Sequence, residues 1–348
     1  MKRREFLSHA GSAAMVTALS PGLLSSCAAR EKSPAAPAFN YTSAYGVQTL
    51  RIWSPLVREA VHLFALADSH LYEADERNAP YHPYSARMEG AYNEVAHYRT
   101  HRPTTPAAAF RECMEVAAAS PADAIVHLGD LVSYPSEYSI EYASALIRKS
   151  GKPFYYVSGN HDWNYEGLDD DDKTAAREQW MPRLKPFYNE GVNPLMYSVV
   201  IKGVKLIFID DSADTVSPEQ IDFFCREVRW DGPSLLMMHI GQAFPGHDSF
   251  YLGYPRFRPV YTPGRGLAML SKADGSHEPQ IERFFAEVLR ASRETSLLAT
   301  VVGHEHDIRS EEVENHRQFV LPFGGNGSYT DILLLPLSES VPYTGYEK

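Results

Sequence analysis

The sequence predicts an α/β fold. Three observations carry that reading: short apolar runs that stop at a turn residue, capped amphipathic segments between them, and hairpin and strand patterns in the second half. The runs are AVHLFALA (60–67), AIVHL (124–128), PFYYV (153–157), LLMM (235–238) and LLATVV (297–302). Each is short, rich in β-branched, leucine and aromatic residues, and uninterrupted by charge, as a strand covered on both faces should be. Between them, Thr105-Pro106 opens a helix whose Phe110, Met114 and Ala117 share one face. Ser217-Pro218-Glu219-Gln220 opens another, with an N-cap, a first-turn proline and a capping-box glutamine. The stretch YSVVIKGVKLIFID (197–210) predicts a hairpin turning at Lys202-Gly203, and QFVLPF (318–323) and DILLLPL (331–337) predict closing strands.

The residues just past the five runs are chemically selective. The runs lead into Asp68-Ser69-His70, Gly129-Asp130, Gly159-Asn160-His161-Asp162, His239, and Gly303-His304-Glu305-His306. Carboxylate, amide oxygen and imidazole are the donors that hold divalent metals, and the strings supply enough of them for two ions. If the strands lie in one sheet, their ends place these residues along one rim, where open α/β sheets bind ligands. Each residue alone has an ordinary reading, His239 as a satisfied strand-end histidine and Asn160 as a turn residue. Together they explain one another. Asp68 and Asp130 follow apolar runs with no basic partner nearby, and a buried carboxylate is costly without a cation.

In that order the strings D-x-H, G-D, G-N-H-D, lone His and G-H-x-H resemble the signature of the calcineurin-like metallophosphoesterase superfamily, over residues 68 to 306. The resemblance implies a two-sheet β-sandwich flanked by helices, a four-layer αββα arrangement. It implies that Asp68, His70 and His306 hold one metal, that Asn160, His239 and His304 hold a second, and that Asp130 bridges them. His161 would be the general acid facing the leaving group, with Asp162 orienting it. The implied cofactors are two divalent ions, Mn²⁺, Fe²⁺ or Zn²⁺, about 3.5–4 Å apart, whose shared hydroxide attacks phosphorus. Where the second string often continues to an Asp or Asn, this chain has Ser133.

The N-terminus reads as an address. Lys2-Arg3-Arg4-Glu5-Phe6-Leu7 with an apolar stretch to Leu24 resembles a twin-arginine export signal, and Leu24-Ser25-Ser26-Cys27 resembles a lipoprotein cleavage box. The expected organisation is a signal over 1–26, an Ala/Pro/Ser-rich tether over 27–45 and one catalytic domain over 46–348, anchored through lipidated Cys27 in a bacterial periplasm or cell envelope. Cleavage before Cys27 takes the formal charge from −11 to −13. Such an acidic body argues against binding nucleic acid through its phosphates, but admits a small phosphorylated substrate, since bound metals supply local positive charge. Cys113 and Cys225 are expected as buried free thiols.

The expected activity is hydrolysis of a phosphate ester. A cyclic-nucleotide or other phosphodiesterase is the alternative to a phosphomonoesterase, and a non-catalytic metal-binding scaffold is the alternative from another class. Two long connections complete the picture. Residues 71–104 carry Tyr72, Tyr81, Tyr84, Tyr92 and Tyr98, and residues 240–278 carry Phe250, Tyr251, Tyr254, Phe257 and Tyr261 among Arg256, Arg258 and Arg265. They serve as a pocket wall or, more ordinarily, as local packing. The acidic run 169–172 is expected to start a helix.

Overall fold

Strand pairing divides the apolar runs between two sheets. The computed structural model describes residues 41–46, 48–92, 94–168, 172–242 and 279–337. The first sheet has the order β1-β2-β14-β3-β6-β7, formed by β1 (Thr42–Gly46), β2 (Thr49–Ser54), β3 (Val61–Leu66), β6 (Ala124–Leu128), β7 (Phe154–Val157) and β14 (Thr330–Pro336). The second has the order β12-β13-β11-β10-β9-β8, from β8 (Met196–Ile201), β9 (Val204–Ile209), β10 (Ser234–Met237), β11 (Leu297–Val302), β12 (Arg309–Val313) and β13 (His316–Val320). A short pair, β4 (Val95–Ala96) with β5 (Pro103–Thr104), stands apart from both. The two sheets agree with the sandwich that the resemblance implies and correct the premise of one common rim: β3, β6 and β7 belong to one sheet, β10 and β11 to the other. Apolar periodicity says that a strand is covered on both faces, but not by which neighbour.

Period-two alternation builds the layers. Leu63 and Ala65 of β3 and Ala124, Val126 and Leu128 of β6 pack with Leu206, Phe208, Leu235, Met237 and Val301 in a core between the sheets. The opposite faces of the same strands, Phe64, Leu66 and Ile125, pack with Phe110 and Met114 of α2 (Pro106–Ala119) and Ile140 and Ile147 of α3 (Glu137–Ser150). α5 (Pro218–Glu227) and α6 (Pro279–Glu294) cover β9, β11 and β13 of the second sheet. The result is a mixed α/β sandwich with helices on both sides.

Local signals behave as their chemistry requires. Thr105 caps α2 by accepting from Ala108 N at 3.3 Å, and the Ser217–Gln220 capping box opens α5. The hairpin turns at Lys202 and Gly203, with φ of 47° and 82°. Of the acidic run, Asp172 caps α4 (Lys173–Leu184), accepting from Ala175 N at 3.0 Å; residues 169–171 lie outside the described residues. Segment 71–104 is built rather than open. It holds a 3₁₀ turn (Glu76–Tyr81), α1 (His82–Tyr92) and the β4–β5 pair. Cys113 is a buried free thiol, and Cys225 is buried in α5. The signal, the start of the tether and residues 243–278, with their aromatics and arginines, lie outside the described residues. Among the described residues no helix is long and apolar enough to cross a membrane.

Candidate metal centre

Each site residue stands just past the C-terminal end of a strand: Asp68 and His70 after β3, Asp130 after β6, Asn160 to Asp162 after β7, His239 after β10, His304 and His306 after β11. Asp68, His70, Asp130, His304 and His306 have positive φ, between 42° and 72°, a region that non-glycine residues seldom enter. Such strain persists only where surroundings enforce it. Here backbone bonds across the strand ends do so: Asp68 N donates to Gly129 O at 2.9 Å, His70 N to Asp130 O at 2.9 Å, and Gly303 N to His239 O at 3.0 Å. The motif glycines allow the approach. Gly129 has φ 83°, and any side chain there would strike the His239 ring and Gly159. A Cβ on Gly303 would lie 2.6 Å from that of Ala67.

Three groups of donors result, each with atoms within 4.8 Å of one another: Asp68, His70 and His306; His70, Asp130 and His161; Asp130, His239 and His304. They share His70 and Asp130, so they form one continuous centre. Asp130 Oδ2 lies 3.7 Å from His70 Nε2 and 3.3 Å from His239 Nε2, while its Oδ1 accepts from His161 N at 2.8 Å. Asn160 Oδ1 is 3.2 Å from His239 Nε2, and His304 Nδ1 is 3.1 Å from the same nitrogen. His306 Nε2 is 3.0 Å from His70 Nε2 and 3.6 Å from Asp68 Oδ1. The seven expected ligands and His161 are thus brought together.

The centre is closed behind and open in front. Asp68, His70, Asp130 and His239 are buried, whereas Asn160, His161, His304 and His306 are partly exposed. A substrate therefore meets the amide, the candidate acid and the two histidines of the last motif.

Protonation within this cluster follows from burial and from one carboxylate. Burial holds His70 and His304 well below the usual imidazole range, lowers His161, and takes His306 down to about 4. For His239 burial acts downward too, but Asp130, then Asp68, outweigh it and push the ring up to about 10. Burial would raise Asp130, yet His239, His161 and His70 hold it well below the ordinary carboxylate range. Asp68 is raised well above it by burial. These donors fit cations. Asp68 Oδ1 is buried without a hydrogen-bond partner, and imidazole nitrogens face each other across 3.0–3.1 Å. His239 donates Nδ1–H to Leu128 O at 2.8 Å, so Nε2 is the atom on the ligand side that would exchange its proton for a cation.

Contacts behind the donors sort the remaining expectations. Ser133 donates to His70 O at 2.8 Å, so it secures a ligand's backbone. Asp162 acts on its loop rather than on the ring of His161: Oδ1 accepts from Val132 N at 2.8 Å and Oδ2 from Gly159 N at 2.7 Å. Burial takes it up to about 7. His62 pairs with Asp331, and His127 with Ser69, away from the donors. Of the five tyrosines, Tyr92 reaches the centre, stacking on His70 at 4.3 Å and 18°. Tyr81 instead stacks on Tyr165, and Tyr72 and Tyr84 join the helix-side core.

Sequence reading missed Phe323, stacked on His306 at 4.6 Å, and the pair Asp210-Asp211. Asp211 Oδ1 accepts from both His239 N and Ile240 N at 3.2 Å, and burial pushes its carboxyl up to about 7. The signal for that pair was available. VKLIFI is an apolar run ending in two carboxylates with no basic partner beside them, the same pattern that marked Asp68 and Asp130.

The family model for calcineurin-like phosphoesterases matches residues 63–307, most of the chain and the whole of the site. The chain belongs to that family and is a hydrolase of phosphate esters. Among solved structures it is similar in fold to a dimetal phosphatase from Danio rerio, with 10% identity and a TM-score of 0.50, covering 79% of this chain and 93% of that one. It is also similar to a purple acid phosphatase from yellow lupin, with 15% identity and a TM-score of 0.48, covering 81% of this chain and 48% of that one, so it spans about half the lupin protein. No curated protein sequence matches the chain.

Proposed function

We propose that this chain is an exported, lipid-anchored enzyme that hydrolyses a small phosphate monoester or diester at a dinuclear centre of Mn²⁺, Fe²⁺ or Zn²⁺. Asp68, His70 and His306 would hold one ion, Asn160, His239 and His304 the other, and Asp130 would serve both. The observation that carries this reading is the reach of Asp130 Oδ2 toward His70 of one half and His239 of the other. When bound, two such ions supply charge for the phosphoryl oxygens and bring water near a pKa of roughly 7.

The chain's own residues do the rest. His161 stands at the open side and would give a proton to the departing oxygen, a step worth about 10²–10⁴-fold. Asp162 holds the backbone of that loop and so fixes where the ring stands. The acidic charge, −13 after cleavage before Cys27, favours a small phosphorylated substrate over nucleic acid.

The test loads the protein separately with each metal and assays a nitrophenyl monoester and a bis-nitrophenyl diester, with Asp130→Ala as control. The preferred ester distinguishes phosphatase from phosphodiesterase; two bound ions without turnover of either ester would count against the reading. For the anchor, Cys27→Ser should move the protein from the membrane to the soluble fraction. An unchanged distribution would remove lipidation from the proposal.

A further inference from the structure

We propose that the two carboxylates after β9 are positioning residues with divided duties, Asp210 fixing the loop that carries Asn160 and His161, and Asp211 fixing the backbone of His239. Neither belongs to the donor set. The inference rests on the proposed acid role of His161 and goes beyond it.

Asp210 is fully buried and gathers four donors. Its Oδ1 accepts from Arg177 Nη1 at 2.9 Å, Ser212 N at 3.1 Å and Ser212 Oγ at 2.7 Å, and its Oδ2 accepts from Ser158 Oγ. Ser212 Oγ in turn accepts from Trp163 Nε1 at 2.8 Å. Ser158 and Trp163 immediately flank residues 159–162, so both ends of the acid-bearing loop converge on one carboxylate. The Asp210 backbone is itself held, because Gln220 Nε2 donates to its carbonyl at 2.6 Å from the capping box of α5. Inside the loop, Asp162 binds Gly159 N and Val132 N. The loop is therefore tied to the first sheet by its interior and to the second by its ends.

Asp211 faces the other way. Its Oδ1 accepts from the consecutive amides of His239 and Ile240, fixing the turn that leaves β10 and hence the origin of the His239 ring. Two amides converging on one carboxylate oxygen fix direction, and supporting contacts of ligands commonly change metal affinity 10–100-fold. One strand end thus positions the acid with one residue and a metal-side imidazole with the next.

The signatures should separate. A mispositioned acid penalises poor leaving groups most, because good ones depart without a proton. In Asp210→Asn, kcat on an alkyl phosphate ester should fall about 100-fold and on the nitrophenyl ester less than about fivefold, with KM little changed and the ion that Asn160 would hold weakened less than in Asp211→Ala. Amide hydrogen exchange over residues 159–163 should quicken. In Asp211→Ala, calorimetric titration with Mn²⁺ should show one of two sites weakened about tenfold or more, with the alkyl-to-nitrophenyl ratio as in the parent.

Equal losses on both esters with unchanged exchange in Asp210→Asn, or the same signature from both variants, would overturn the division. Should Asp210→Asn fail to fold, Ser212→Ala removes the hydroxyl that links Trp163 to Asp210, leaves the Ser158 and Arg177 bonds in place, and should show the same two effects in weaker form. Parental exchange and ester ratio in Ser212→Ala would equally overturn it. If the unmodified protein turns over no ester, the substrate reading fails on its own, while exchange and calorimetry still decide the two brackets.

Discussion

The two halves of the centre each combine two imidazoles with one side-chain oxygen, a carboxylate in the first and an amide in the second, but their rings are braced differently. In the half formed by Asp68, His70 and His306, each imidazole lies against an aromatic ring, Tyr92 on His70 at 4.3 Å and Phe323 on His306 at 4.6 Å. In the half formed by Asn160, His239 and His304, the two imidazoles meet edge to face at 5.0 Å, and hydrogen bonds to Leu128 O, to Asp211 and within the Asp210 bracket do the holding. Dispersion tolerates small slips, whereas hydrogen bonds fix direction. The first half is held as a packed wall and the second as a directed frame.

The sharpest way to break this comparison removes the group common to both halves. Asp130→Ala should lower kcat/KM by at least about 10³-fold, roughly 4 kcal/mol of transition-state stabilisation, and weaken both ions together in calorimetry. Full affinity left in one half would show that Asp130 does not couple them. Next in size, Gly129→Ala presses on the His239 ring and places a side chain at φ 83°, and urea unfolding should show about 3 kcal/mol of destabilisation. The second half should lose its ion first; an equal loss in both halves would argue that the frame is not local.

A pH dependence comes from the buried histidines outside the donor set. Burial takes His127, behind the first half, and His316, in the second sheet, down to about 3. Both fold as neutral rings, so between about pH 6.5 and 3 the unfolded chain binds more protons. Stability they contribute is present above the unfolded value and is lost as pH falls toward about 3. His316→Gln should flatten that acid loss by something on the order of 2 kcal/mol in urea titrations at pH 7 and pH 5. An unaltered slope would mean that its bonds to Ser292 and Thr300, at 2.8 and 2.9 Å, accommodate the charge. Smaller again, Tyr92→Leu should weaken one ion by about tenfold or less and leave the other unaffected, sharpening the contrast between wall and frame.

The donors were legible in the sequence because each short string of them follows its own strand. A run such as AIVHL stops at Gly129-Asp130 for local reasons, and a carboxylate there needs a partner wherever the strand lies. Caps at Thr105, Asp172 and Ser217 were equally local, since they satisfy amides within one turn. The partition into two sheets was not legible from periodicity, which registers burial without identity. Tyr92 looked like four other tyrosines of its segment, and only packing brought its ring onto His70.

The sequence by itself therefore determined the α/β class, the strand ends, the donor types and the order in which the chain delivers them. Only the tertiary structure decided that β10 and β11 lie across from β3, β6 and β7, that Asp130 Oδ2 reaches both His70 and His239, and that Asp210 ties down both ends of the acid loop. The physical reason is range. Caps, turns and alternation act over a few residues, whereas a shared carboxylate or a bracing one is defined by atoms that meet only after both sheets have closed on their common core.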